Sequence, residues 1–210
     1  MIKVIPGYEA FRYPDIFDAV FALRHKVFVE EMGWSALASP NGRERDQFDD
    51  EHAVHHIALR DGVVLGYQRT LPTVRPHLLT DVLPQLCHAG SPRGPAHWEV
   101  SRYCVVPSAR EGRRAVGSVG SELIVGVVEW ALNRGITSLV YEFEANWLLR
   151  AVQLQFFVRP LGLLHNIGTQ QIIAAELEIT PHTLPTIRDF RGHQLPVVEG
   201  IESEPLRYVS

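Results

Sequence analysis

The dipeptide Asp61-Gly62 divides two strand-like runs, Val54 to Arg60 and Val63 to Arg69. A two-residue turn of this composition joins antiparallel neighbours, because Asp and Gly tolerate the left-handed backbone that such a turn requires. The chain is thereby committed to a β-sheet, and the remaining segments must supply its further strands and the helices that cover it.

Residues 2–5 read as a first strand ended by Pro6-Gly7. After Pro14, which suits a first helical turn, Ile16, Phe17, Val20, Phe21, Leu23, Val27 and Phe28 fall on one face of a helix reaching about residue 31. Ser39 to Arg45 reads as a loop. Prolines 72, 76, 84, 92 and 95 break the next stretch, apart from a short helix near Leu78–Leu86. Trp98 to Val106 reads as a central strand stopped by Pro107, and Val116 to Asn133 as a long helix ending before Gly135. A buried strand over Ser138–Phe143, a helix over Asn146–Phe156 and a strand over Gln170–Ile179 follow, and the tail from Pro181 is weakly patterned. This order predicts an α/β sandwich, a mixed sheet with helices on its faces.

At 210 residues, 46% of them hydrophobic, one sizeable core and a single domain over 1–210 are expected. The net charge of -4 gives no broad drive toward nucleic acid. Cys87 and Cys104 form no CxxC pair, and no apolar run approaches the length of a membrane span. A soluble protein of a reducing, cytoplasmic compartment is expected.

Several groups carry possible chemistry. Arg24 and Phe28, four apart on the first helix, can meet on one face, with Trp34 just beyond. They can clamp a flat charged ligand, or serve as core aromatics with a solvated arginine. Asp46 and Asp49 can hold a cation or be solvated charge. His52, His55 and His56 match no zinc spacing, and a surface or half-buried role is expected of them. On the strand Glu99-Val-Ser101-Arg102, alternation predicts Glu99 and Ser101 on one face and Arg102 on the other. Polar groups on a central strand need partners, which a structural salt bridge or a site would provide, with Arg69 as one candidate. The stretch holding Arg110, Arg113 and Arg114 precedes the long helix, where phosphate is favoured.

Together, Arg24-x-x-x-Phe28, Trp34, Asp46-x-x-Asp49, Arg69 and Glu99-x-Ser101-Arg102 resemble the ordered signature of the acyl-homoserine-lactone synthases, the autoinducer synthases of bacterial quorum sensing. The passages Asn41-Gly-Arg43-Glu, Leu78-Leu-Thr-Asp81-Val-Leu-Pro84 and Pro160-Leu-Gly162-Leu are similar to members that use acyl-CoA. The resemblance implies a GNAT-like three-layer fold whose sheet splays beside the strand carrying Glu99, leaving a gap for the thioester arm. It implies S-adenosylmethionine bound by Arg24, Phe28, Trp34, Asp46, Asp49, Arg69 and Arg102. It also implies that Glu99 and Ser101 are catalytic and that Arg110, Arg113 and Arg114 lie near the phosphate of acyl-CoA or an acyl-carrier protein.

An apolar tunnel for the acyl chain would be lined by Val140, Phe143, Ala145, Trp147 and Leu148. Ala145 stands where many makers of 3-oxo products have threonine, and Gln155 where relatives commonly have glycine. No metal or redox cofactor is expected. The rival readings are a GNAT-type N-acyltransferase acting on another amine and a non-catalytic S-adenosylmethionine sensor.

Overall fold

The computed structural model describes residues 1–110 and 118–201. Eight strands form one sheet: β1 (Ile2–Pro6), β2 (Val54–Arg60), β3 (Val63–Pro72), β4 (His97–Val105), β5 (Ser138–Glu144), β6 (Phe157–Pro160), β7 (His165–Ile167) and β8 (Gln170–Glu178). Their order is β1-β2-β3-β4-β5-β8-β6, with β7 also on β8. Among the described strands only the pair β4 and β5 runs parallel, so the sheet is mixed as expected. At the β2–β3 turn, Asp61 and Gly62 both take positive φ, 49° and 78°.

Helices cover both faces. On one, α1 (Pro14–Arg24) starts at its proline and buries Phe17, Val20 and Leu23 with Ile57, Tyr67 and Cys104. The expected helix does reach residue 31, but His25–Glu31 winds as a wider π turn, with Met32 N–H bonding Val27 carbonyl. The short α2 (Leu78–Asp81) lies on this side, with Leu79 against Val140, Ile172 and Ala174. On the other face α3 (Ser118–Asn133), α4 (Ala145–Gln153) and α5 (Thr183–Arg191) enclose the larger cluster, including Val100, Leu123, Trp130, Leu139 and Ile187. Gly66 lets α3 approach, since a Cβ there would meet Leu123 and Val119 at 3.0 Å. Among the described residues, no helix is long and apolar enough to cross a membrane.

Helix α5 and strands β6 and β7 are not predicted by the sequence pattern. The histidine expectation holds for the half-buried His52 and is corrected for the other two. His55 and His56 are buried on successive strand positions, with His55 against Tyr67 and Phe17 on the α1 face and His56 against Thr70 and Trp130 on the other.

Two irregularities in β4 set the shape of the α1 face. Tyr67 pairs with Cys104 and Arg69 with Ser101, so Gln68 faces two residues, Arg102 and Tyr103. Arg102 takes φ +59° at this bulge. The pairing of β4 with β5 ends at Val100↔Tyr141, although β4 continues to Val105 and β5 to Glu144. The two strands part there.

Candidate functional site

The bulge overturns the expected alternation. A regular strand would send Ser101 and Arg102 to opposite faces, but the extra residue keeps both on the α1 face while Tyr103 joins the opposite cluster. Ser101 Oγ accepts from Arg69 Nε at 3.3 Å, and Arg102 reaches the loop that follows α1.

That loop, residues 41–50, brings three carboxylates to three arginines. Arg24 Nε donates to Glu44 at 2.5 Å and Nη1 to Asp49 at 2.7 Å. Arg69 Nη1 donates to Asp46 at 2.6 Å and to Asp49 at 2.7 Å, and Nη2 reaches Asp46 again at 3.0 Å. Arg102 Nη2 contacts Glu44 at 3.2 Å and Asp46 at 2.9 Å. Arg24, Arg69 and Glu44 are fully buried. Such burial is tolerable because each charge has opposite charges around it and accepts or donates several hydrogen bonds. Burial alone would raise the Asp49 carboxyl, but Arg69 and Arg24 hold it far below the usual range. Asp46 and Asp49 therefore spend much of their charge on the protein's own arginines.

The aromatic pair is also rearranged from expectation. The Arg24 guanidinium lies over Phe21 and Tyr67, at 5.4 and 5.6 Å. Arg102 takes the place over Phe28, at 5.5 Å, and Trp34 stacks on Phe28 with centroids 5.3 Å apart. The Trp34 indole donates to Gln170 on β8 at 2.8 Å, and Gln170 donates on to Glu144 at 2.7 Å. One contact network thus joins Trp34, Phe28, Arg102, Asp46, Arg69 and Ser101 on a single face of the sheet.

Glu99 continues this face toward α2. It is fully buried and accepts from Leu78 N–H at 2.9 Å, Leu79 N–H at 2.9 Å and His77 Nδ1 at 2.8 Å. Beyond it, where β4 and β5 part, lies Glu142, within hydrogen-bond reach of Glu99.

The five residues expected to line one tunnel do not form one wall. Val140 faces Leu79 and Leu86, whereas Phe143 and Leu148 pack in the cluster on the opposite face, as the period-two geometry of β5 requires. Trp147 meets Tyr103 edge-on at 5.5 Å, and Ala145 opens α4. Arg110 bonds Glu31 at 2.6 Å and the Val105 carbonyl, while Arg113 and Arg114 lie outside the described residues. Gln155 takes φ +68°, a conformation in which glycine carries no steric cost.

Glu44, His77, Glu142 and Gln170 carry no spacing signal that marks them as site residues. Glu142 was visible in principle, as a carboxylate inside an apolar strand. Glu44, between Arg43 and Arg45, reads as solvated loop charge.

A family model described as autoinducer synthase matches residues 9–178. The isovaleryl-homoserine lactone synthase of Bradyrhizobium diazoefficiens is 36% identical over 193 residues, covering 91% of this chain and 86% of its own. An acyl-homoserine-lactone synthase of Ralstonia nicotianae is 30% identical, covering 82% and 87%. The structure is similar to that of the CoA-dependent acyl-homoserine lactone synthase BjaI with S-adenosylmethionine and isopentyl-CoA (TM-score 0.87, 36% identity, 95% and 92% covered). The CoA-dependent synthase MesI gives a TM-score of 0.85 at 28% identity, with 96% and 100% covered. An N-acetyltransferase from Lactobacillus plantarum, 18% identical with a TM-score of 0.54 and covering 85% and 99%, shares the fold alone.

Proposed function

The chain belongs to the autoinducer synthase family, and from that premise we propose how its residues carry out the reaction. It is an acyl-homoserine-lactone synthase, forming N-acyl-homoserine lactone from S-adenosylmethionine and an acyl thioester for quorum-sensing signalling. The observation that carries the assignment of roles is the single network from Trp34 through Arg102, Asp46 and Arg69 to Ser101, with Glu99 beside it where β4 and β5 part.

In the first step the amine of S-adenosylmethionine attacks the thioester carbonyl. The C–N bond forms, the C–S bond breaks, and the thiolate leaves with the bonding pair. A free α-amino group titrates near pH ~8, so the base removes a loosely held proton. Glu99 is assigned as that base, directly or through water, and Ser101 orients the amine or the water. In the second step the methionyl carboxylate attacks its own γ-carbon and expels methylthioadenosine as a neutral thioether. Positioning supplies most of the help to this intramolecular closure. Neither step calls for a metal or redox cofactor.

Arg24, Arg69 and Arg102 shape the site through the three carboxylates. Asp49 is tied inward, and Asp46, with 8% of its side chain exposed, is assigned to the ligand's cationic part. Phe28 and Trp34 form the aromatic wall. Acyl-CoA is assigned as donor over acyl-carrier protein, supported by the likeness to the CoA-dependent synthases BjaI and MesI and by the passages at Asn41, Leu78 and Pro160. Arg110 would then stand near the phosphate of the arm. Phe143, Trp147 and Leu148 take the acyl chain on the α4 side of the gap, with Val140 and Ala145 at its margins. A cytoplasmic location fits these substrates.

The test is to supply S-adenosylmethionine with a mixture of acyl-CoAs and follow products by mass spectrometry. A lactone and methylthioadenosine are expected. An acylated amine without lactone would assign the chain to ordinary N-acyl transfer, and binding without turnover to sensing. Near-normal methylthioadenosine release by Glu99→Gln would remove Glu99 as the base.

A further inference from the structure

Glu142 has no part in the two-step scheme, yet it occupies its centre. It is the first residue of β5 beyond the last pair with β4, Val100↔Tyr141. Its register places it on the Glu99 face, because Val140 pairs with Glu99 and side chains two apart share a face. The two carboxyl groups lie within hydrogen-bond reach. Glu142 Oε1 is buried and, among the described residues, no hydrogen-bond donor reaches it. A carboxyl group so placed beside another is costly unless one of the two carries a proton.

The hydrogen-bond inventory decides which. The backbone N–H groups of Leu78 and Leu79 already point at the oxygens of Glu99, and His77 Nδ1 lies 2.8 Å from one of them, so that group serves as acceptor. Burial first, and then the negative charge of Glu99 and the hydrogen bond with it, push the Glu142 carboxyl well above the usual range, and its own backbone N–H and then Arg102 oppose this only in part. The other neighbour, Cys87, is itself pushed up to about 11, chiefly by burial, so it brings no charge at neutral pH.

We propose that Glu142 is a positioning residue for acyl transfer, a neutral carboxylic acid whose O–H donates to Glu99 and holds that carboxylate toward the parted strands. The proposal rests on the assignment of Glu99 as base. Glu142 keeps its proton throughout. Of the two protons that the substrate ammonium loses, one goes to Glu99 and one to the departing thiolate.

The experiment compares Glu142→Gln with Glu142→Met, reading free-thiol release and the KM for S-adenosylmethionine. The carboxamide N–H of glutamine replaces the donor, whereas methionine fills similar space without one. Gln is expected to keep kcat within about threefold. Met is expected to lose at least about tenfold in kcat at little change in KM, the scale of one hydrogen bond to a charged group. Equal activity of the two variants, or a folded Gln variant as slow as Met, overturns the proposal.

Infrared difference spectra at neutral pH provide a check that needs neither turnover nor the folding of the Met variant. Wild type should carry a protonated-carboxyl band that Glu142→Gln lacks, and its absence from wild type also overturns the proposal. A wild-type chain that makes no lactone but shows the band would instead count against the functional reading alone.

Discussion

Arg24 and Glu44 meet at 2.5 Å with neither side chain reaching solvent. Glu44 also accepts from Arg102, so one carboxylate is shared by two buried guanidinium groups. Replacing it by alanine leaves both without that partner. A loss of about 3–5 kcal/mol in unfolding free energy is expected, measured by urea denaturation. The exposed pair Arg43–Asp18 is the control, and Arg43→Ala should leave the urea midpoint nearly unchanged.

His55 and His56 predict an acid sensitivity well above the carboxylate range. Burial lowers them to about 4 and about 3, so both rings are neutral in the folded chain. Once unfolded they bind protons near pH ~6.5. Their contribution to stability is therefore complete above about pH 6.5 and is lost as the pH falls toward 4, with a slope of roughly 1.4 kcal/mol per pH unit for each ring. Urea midpoints from pH 7.5 down to 4.5 check this, and His56→Gln should flatten the slope. Asp49, depressed by its arginines, adds a separate loss that begins only below about pH 4.

Gln155 sits in the left-handed region at φ +68° just past α4, exposed and bonded through its side chain to the Gln153 carbonyl. Gln155→Gly should raise stability by about 0.5–1 kcal/mol by removing the Cβ penalty. A thermal-melting comparison tests it, and an unchanged or lower midpoint would refute the strain argument.

The Trp34–Gln170 hydrogen bond separates two roles of the indole. Trp34→Phe keeps a ring to stack on Phe28 and removes the N–H. Loss of about 1 kcal/mol of positioning should raise the KM for S-adenosylmethionine about fivefold and leave kcat nearly unchanged. Gln170→Leu should give the same pattern in steady-state kinetics. A fall in kcat alone would place Trp34 in the chemistry instead.

The elements that depend on local signals were legible from sequence. Asp61-Gly62 gave away the hairpin, Pro14 and the apolar face gave α1, and α3 followed its periodicity to Gly135. Helix α5 was not legible because only Thr183 and Ile187 are buried from it. It is held instead by Arg188 on Glu129 and Arg191 on Ser121, partners 59 and 70 residues away. Strands β6 and β7 exist through their pairing with β8, and the exposed Phe157 carries no buried-strand pattern. Within the site the residue types were legible but not their partners. The order of polar residues foretold a cluster, whereas Glu44 as its hub and Arg102 over Phe28 depend on a loop conformation and a bulge that leave no periodic trace.

The bulge at Arg102 inverts the parity of its strand. Before it the odd positions, Glu99 and Ser101, look toward α1; after it an even one, Cys104, does so. Insertion or deletion of a single residue between Ser101 and Cys104 would send the Cys104 thiol and the Val105 side chain each into the other's layer. In this stretch the count of residues is as binding a constraint as their identity.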